Sequence, residues 1–331
     1  MAKQKTEVTE EKNLELALAE INKEFGAGTI VGGGTKNGDF DVIPTGSWTL
    51  DMATGIGGLP KGRAVEIVGP ESSGKTTLAL HVIAEAQKLG GKCAFIDMEH
   101  AISLKYAAKI GVNIDELLIS QPDWGEQALE VANKLIKSAG VSVVVIDSIA
   151  ALVPKSEMDG EIGDVGMGKL ARVMSQAARM LAPVVEKSNC LLILLNQYRK
   201  NIGGYGNPEV PCGGEATKYL ASMRIDIRRK NDKEEERSLT TCTVMKNKCA
   251  VPFKKAEFYI DWGVGINKYH EVLEMAIQTG VVKKSGSWFS YEKGDLVTKA
   301  QGEDGFVELF IDNEEFMNDV KTQIKEKLTN G

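Results

Sequence analysis

Gly69-Pro70-Glu71-Ser72-Ser73-Gly74-Lys75-Thr76 is the stretch whose reading decides the fold. It satisfies the spacing G-x-x-x-x-G-K-[ST], and a second threonine, Thr77, follows. An apolar run, Ala64-Val65-Glu66-Ile67-Val68, leads in. A helical pattern with Leu78, Val82, Ile83, Ala86 and Leu89 on one face leads out. Strand, glycine loop and helix are the context this phosphate-binding motif requires. Its backbone N–H groups and the helix N-terminus present partial positive charge to phosphate oxygens. Lys75 is expected to reach the β- and γ-phosphates, with the Thr76 hydroxyl on Mg²⁺.

Working outward, strand and helix patterns alternate from about residue 40. Apolar runs at Ala64–Val68, Cys93–Asp97, Leu117–Ser120, Val143–Asp147 and Leu191–Leu195 are separated by helical stretches such as 126–138 and 168–187. Near-continuous apolar strands with helices between them predict an α/β fold, a mostly parallel sheet flanked by helices on both faces. After residue 218, Met223–Arg228, Thr241–Met245 and Ala256–Ile260 alternate with no long helix between them, which predicts an antiparallel extension. From about 268 a helix, a strand pair near Trp288–Tyr291 and terminal helices around 314–328 predict a small α+β C-terminal domain. The expected division is 1–34, an N-terminal helix (11–25) and glycine-rich linker; 35–267, the core; and 268–331. The helix packs on its own domain or on a neighbour; its pattern alone leaves both open.

Composition narrows the class. Hydrophobic residues make up 43% and charged residues 26%, an ordinary globular balance. The longest apolar runs are strand-length, so no membrane association is expected. The polar start, Met1 to Lys12, lacks a signal core and points to the cytoplasm. The five cysteines show no paired C-x-x-C spacing, which predicts reduced thiols rather than zinc or disulfides. A net charge of −6 excludes coating nucleic acid by bulk charge but leaves local basic loops open.

Four further stretches carry chemistry. Val143–Asp147 followed by Ser148 is an apolar strand ending in Asp, the pattern whose aspartate holds Mg²⁺. The metal residues are therefore Thr76 and Asp147. Phe95-Ile96-Asp97-Met98-Glu99-His100 ends the strand after the loop helix, at the sheet edge beside the phosphates; Glu99 is the candidate base, ahead of His100. Leu194-Leu195-Asn196-Gln197 ends another strand in amides suited to sensing a γ-phosphate. The long loop at 198–214 interleaves Tyr198, Arg199, Lys200 and Tyr205 with glycines. That composition suits stacking and phosphate contact on single-stranded nucleic acid. Another loop, earlier in the chain at 157–169, is acidic and runs into a helix bearing Arg172 and Arg179 on one face.

Taken together, these stretches resemble the bacterial RecA recombinase family. Gly69–Thr77, Phe95–Ala101, Asp147–Ala151, Gly160–Asp164 with Met174-Ser175-Gln176-Ala177, Leu195–Gln197, Gly206-Asn207-Pro208-Glu209 and Lys246-Asn247-Lys248 carry the resemblance, over about 14–300. It implies a RecA-type core and a DNA-dependent ATPase, with ATP and Mg²⁺ as cofactors. It implies a homo-oligomeric filament on single-stranded DNA that pairs with homologous duplex DNA for recombination and repair, and an SOS-type repressor as a further partner. By position, Lys246 and Lys248 would reach ATP from a neighbour, with Glu99 as base and Gln197 as coupling residue. Gly69, Pro70, Glu71, Ser72, Ser73, Gly74, Lys75, Thr76 and Thr77 would cradle the phosphates, with Ser103, Tyr106 and Trp262 near the adenine. Met167, Arg172, Ser175, Arg179, Arg199, Ile202, Tyr205, Gly213 and Gly214 would touch DNA. The helix at 11–25 and Tyr219 would lie in the subunit interface. Ser103, Trp124, Glu215, Thr241 and Thr243 depart from the family pattern, and the family's long acidic tail is missing. A ring-forming motor ATPase and a P-loop phosphotransferase are the alternatives. The basic glycine loop and the tethered helix weigh against the phosphotransferase; Lys246-Asn247-Lys248 and Gly160–Asp164 weigh against the ring motor.

Overall fold

The computed structural model describes residues 2–26, 29–30, 40–161, 168–200, 209–232, 236–294 and 296–330. The chain forms two compact units, Met1–Asp39 and Phe40–Gly331. In the first, helix α1 runs Ala2–Phe25, longer than the expected 11–25. The added residues include Ala2, Lys3, Gln4, Lys5, Glu7 and Glu10, types of high helix propensity, beside the weaker formers Thr6, Val8 and Thr9. Leu14, Leu16 and Phe25 on this helix are exposed.

The second unit is organised around nine strands: β1 (Ala64–Val68), β2 (Cys93–Asp97), β3 (Leu117–Ser120), β4 (Val143–Asp147), β5 (Leu191–Asn196), β6 (Ala221–Asp232), β7 (Arg237–Asn247), β8 (Lys255–Asp261) and β9 (Gly265–Ile266). Their order is β9-β8-β7-β6-β1-β5-β4-β2-β3. Strands β1 to β5 pair in parallel. Helices α3 (Lys75–Lys88), α4 (Leu104–Ile110), α5 (Gly125–Lys137) and α7 (Lys169–Ser188) connect them.

Side chains on the central strands alternate between two cores, as the period-2 geometry of a strand dictates. Val143, Val145, Leu191 and Ile193 pack with Leu78 and Val82 of α3 on one face. Val144, Ile146, Leu192 and Leu194 pack with Leu129 of α5 and Leu181 of α7 on the other. Each such side chain removed from water contributes roughly 1.5–3 kcal/mol. That double coverage is why these strands read as unbroken apolar runs.

The extension departs from expectation at one strand. β6 runs parallel to β1, with Ala221 opposite Ala64 and Asp226 opposite Val68. Only β7, β8 and β9 are antiparallel. The connection from β5 passes through α8 (Glu215–Leu220) and returns the chain to the same sheet end, which a parallel pairing needs.

The C-terminal part holds α9 (Lys268–Gln278), strands β10 (Val282–Ser285), β11 (Trp288–Lys293) and β12 (Leu296–Gln301), α10 (Gly302–Asp312) and α11 (Glu314–Asn330). Three antiparallel strands stand where a pair was expected. Phe289, Tyr291, Phe306 and Phe310 form its separate core, with Phe306 and Phe310 edge to face at 5.4 Å. Glu271 joins it to the larger sheet. Buried, it accepts from the Ser47 hydroxyl (2.6 Å), the Thr49 N–H (2.6 Å) and the Trp48 N–H (3.2 Å) at the start of α2 (Trp48–Thr54). The five cysteines are free thiols, and burial pushes Cys93 and Cys190 up to about 12. No helix among the described residues is long and apolar enough to cross a membrane.

Candidate active site

The carboxyl edges of β1, β2, β4 and β5 converge on one cavity of about 390 Å³. Ligands of open α/β sheets bind at this edge. The glycine loop turns directly from β1 into α3, and Gly69 lies too close to β6 for a side chain. A Cβ there would sit 2.3 Å from the Ile227 carbonyl oxygen. Glu71, Ser72, Ser73, Gly74, Lys75, Thr76 and Thr77 line the cavity. Gly69 and Pro70 form the loop's rim. Their carbonyls accept from Lys75 Nζ at 3.2 and 2.6 Å, which fixes the ammonium at the loop mouth. Burial lowers the Lys75 pKa, and the Asp147, Glu99 and Glu71 carboxylates oppose that shift.

Asp147 ends β4 and accepts from the Thr76 hydroxyl at 2.7 Å. Burial pushes its pKa up to about 6, with the Glu99 and Asp97 carboxylates adding to the rise against the Thr76 bond. Asp97 anchors the turn after β2 by accepting from the Ala101 and Ile102 N–H groups and from Gln121. That turn carries Glu99 into the cavity, while His100 is exposed. Glu99 Oε1 accepts from Gln197 Nε2 at 3.0 Å and from the Ser148 hydroxyl at 2.6 Å.

The donors fit a magnesium-bound nucleoside triphosphate. A buried hydroxyl, Ser73 Oγ, has no hydrogen-bond partner and belongs to the loop lining. Thr76 and Asp147 offer adjacent oxygens, the hard-ligand chemistry Mg²⁺ takes. Among the described residues no group of three or more His, Cys, Asp and Glu forms a complete metal cage. Mg²⁺ needs none, since one or two protein oxygens plus substrate phosphates suffice.

Tyr106 and Trp262 line the same cavity. Tyr106 Oη lies 3.1 Å from Thr77 Oγ1, and Trp262 Nε1 donates to Ser238 Oγ at 2.8 Å. Ser103 is not in the lining. Its hydroxyl caps α4 by accepting the Tyr106 N–H at 3.3 Å. Lys246 is also turned elsewhere, donating to the Lys218 and Ala221 carbonyls at 2.5 and 2.8 Å. Neither it nor Lys248 reaches the cavity of its own chain. The lining includes Arg229, Ser238, Thr240 and Ile260, which sequence reading missed. They arrive because the register of β6 on β1 carries β6–β8 past the glycine loop, a long-range fact with no local signal.

Gln197 leads into a ribbon of Tyr198–Lys200 paired with Glu209–Pro211. Tyr198 donates to Asp226 at 2.7 Å, and the Arg228 guanidinium lies 4.9 Å from its ring. Arg199 is exposed and donates to the Ala150 carbonyl at 3.5 Å. Gly213 and Gly214 form the turn before α8. Gly213 has φ +80, and a Cβ there would meet Ile149 Cγ2 at 2.9 Å, so glycine alone seats the ribbon's stem on the stem of the other loop. Arg172 and Arg179 are exposed on α7, while Ser175 donates to Ala171 of its own helix. Met167, Ile202 and Tyr205 lie outside the described residues. Tyr219 is 76% exposed.

The RecA N-terminal domain model matches residues 12–267 and the RecA C-terminal domain model matches 270–329. Protein RecA of Rickettsia bellii (strain RML369-C) is 50% identical over 326 residues, 97% of this chain and 94% of that protein. Protein RecA of Ruminococcus albus is 52% identical over 320 residues, 95% of this chain and 80% of that protein. Protein RecA of Rickettsia prowazekii is 49% identical, over 97% of this chain and 95% of that protein. Among solved structures, that of the RadB recombinase shares the fold with a TM-score of 0.53 at 22% identity, covering 68% of this chain and 98% of that one. With both domain models matched in order and half of the residues identical along nearly the whole length, the chain belongs to the RecA family.

Proposed function

We propose that this protein is a DNA-dependent ATPase that assembles as a helical filament on single-stranded DNA and carries out homologous pairing and strand exchange. One observation carries the reading. Glu99, an acid lining the phosphate cavity, is hydrogen-bonded to Gln197, the residue that leads into the ribbon whose loop would hold DNA. A phosphotransferase has no use for such a link between its base and an exposed basic loop.

In this reading Glu99 accepts the proton of the attacking water, and Gln197 and Ser148 fix its carboxylate meanwhile. Lys75 and the loop N–H groups neutralise charge that builds on the phosphoryl oxygens. Mg²⁺ on Thr76 and Asp147 supplies further charge neutralisation when bound. Tyr106 and Trp262 flank the base. Lys246 and Lys248, directed away from their own cavity, serve a neighbour's. Exposed Tyr219 and the exposed apolar side chains of α1 suit that subunit contact. Arg172, Ser175, Arg179, Arg199, Gly213 and Gly214, with Met167, Ile202 and Tyr205, hold the DNA. A duplex partner and an SOS-type repressor belong to the same reading, as does the division at residue 268.

The test is ATP hydrolysis with and without single-stranded DNA, combined with negative-stain imaging. Hydrolysis that rises with DNA, together with filaments, is expected. A high DNA-independent rate with no filaments overturns the reading.

A further inference from the structure

We propose that Ser148 is a positioning residue for the hydrolytic base: its buried hydroxyl holds the Glu99 carboxylate and ties it to the stem of the first loop. The inference rests on the reading of Glu99 as base given above.

Ser148 is fully buried, and its O–H···O contact to Glu99 Oε1 is 2.6 Å. Hydroxyl donation to a carboxylate at this distance is among the stronger protein hydrogen bonds. The same oxygen accepts from Gln197. The carboxylate is therefore held from two directions, each belonging to a different loop. Gln197 continues into the 198–214 ribbon. Ser148 continues into the turn Ile149–Ala151 and α6 (Lys155–Met158), the stem of the 157–169 loop.

That stem is anchored along its length. Ile149 and Leu152 are buried in the core. The Gly125 N–H donates to the Val153 carbonyl at 2.8 Å, and the Lys155 N–H donates to Glu126 Oε2 at 2.9 Å. The Lys155 ammonium lies 5.0 Å from the Trp124 ring centroid. On the far side of the loop, Lys169 Nζ donates to the Ser156 carbonyl at 3.3 Å. A shift of the first loop thus reaches Ser148 through a short rigid segment, and from Ser148 it reaches the base directly. Gln197 is then one of two levers on Glu99, and the two stems also touch each other where Arg199 meets Ala150. A base held this way responds to DNA in both loops.

The experiment is steady-state ATP hydrolysis with and without poly(dT), on wild type, Ser148→Ala and Ser148→Cys. In Ser148→Ala the ratio of DNA-stimulated to DNA-free kcat is expected to fall about tenfold, the size of one lost charge-assisted hydrogen bond, with KM for ATP within about twofold of wild type. Ser148→Cys keeps a donor, though a weaker and somewhat larger one, and should fall between. An unchanged ratio in Ser148→Ala, or a KM that rises as much as kcat falls, overturns the proposal. A wild type with no DNA stimulation overturns the functional reading beneath it instead. A second measurement does not depend on how the Ser148 variants fold. In Glu99→Ala, amide hydrogen exchange should quicken across 149–158 and stay unchanged across 64–68. Unchanged exchange across 149–158 refutes the link.

Discussion

Acidification should loosen the nucleotide cavity through one residue, His81. It lies on α3, six residues after Lys75, and its Nε2 accepts the Ile266 N–H at 2.9 Å. That bond requires a neutral ring. Ile266 follows the turn at 262–264, whose Trp262 and Gly263 line the cavity, so the bond braces that wall against α3. Burial, aided by Lys88, pushes the His81 pKa down to about 4 from 6.5. The folded protein therefore binds fewer protons than the unfolded chain between those values. The stability this represents is complete above pH 6.5 and is lost as pH falls toward 4. At 1.36 kcal/mol per unit, the loss is about 3 kcal/mol. Asp51 acts in the opposite sense. Burial pushes its pKa up to about 7, so its contribution is present at low pH and lost as pH rises through 7. A raw stability profile mixes the two. The clean quantity is the difference in unfolding free energy between wild type and His81→Gln, from urea titrations at each pH and constant salt. The glutamine oxygen can accept the same N–H but has no proton to gain. The difference should shrink by about 3 kcal/mol from pH 7 to 4. Ring-proton NMR of the three histidines, read against the variant, should show one titrating near 4. A difference that stays constant within about 0.5 kcal/mol, or a His81 resonance titrating near 6.5, would show the ring is not held neutral.

Three other substitutions test the site and its support. Glu99→Gln should leave ATP binding intact and slow hydrolysis by about 10²-fold or more; a near-normal rate removes Glu99 as base. Lys75→Ala should abolish nucleotide-dependent DNA binding, read by fluorescence anisotropy, and unchanged binding with ATP contradicts the phosphate assignment. Glu271→Ala strips acceptors from the Thr49 N–H and Ser47 hydroxyl and should cost about 2–4 kcal/mol by urea unfolding. The burial that raises the Glu271 pKa offsets part of that cost. A loss under about 0.5 kcal/mol would mean those donors find water instead.

The parts of this molecule that sequence made legible are those where chemistry is local. The phosphate loop needs strand, glycines and helix in one short stretch, and four of the five apolar strands announce double-sided burial by themselves, while β3, at the sheet edge, leaves Leu118 and Ile119 exposed. Asp147 was readable because it ends such a strand and Glu99 because it lies in the turn just past one, and a parallel sheet delivers strand ends to one edge. What stayed hidden depends on partners distant in the chain. The direction of β6 cannot be read from Met223–Arg228, because alternation states which face is buried and not which way the strand runs. Ser103 caps its own helix, a use of serine that competes with any ligand role. Lys246 points at carbonyls of its own chain and does not line its own cavity, and no local pattern in the sequence states that.

Glu66 shows why such partners matter. A carboxylate in the middle of a fully buried strand is a local inconsistency in Ala64-Val65-Glu66-Ile67-Val68, and sequence reading passed over it. In the fold it accepts from Asn196 Nδ2 at 2.7 Å on β5 and is bonded to Arg224 Nε on β6. Asn196 Nδ2 also donates to the Cys212 carbonyl at 2.9 Å, at the end of the second loop. A buried charge survives only when paired and hydrogen-bonded, so Glu66 requires both neighbours in one register. The requirement joins the phosphate-loop strand to the strand that leads into Gln197 and, through Asn196, to the base of the 198–214 loop. In the proposed function, the coupling between nucleotide and loop would begin one layer beneath the site, in this polar chain that ties the strands in register.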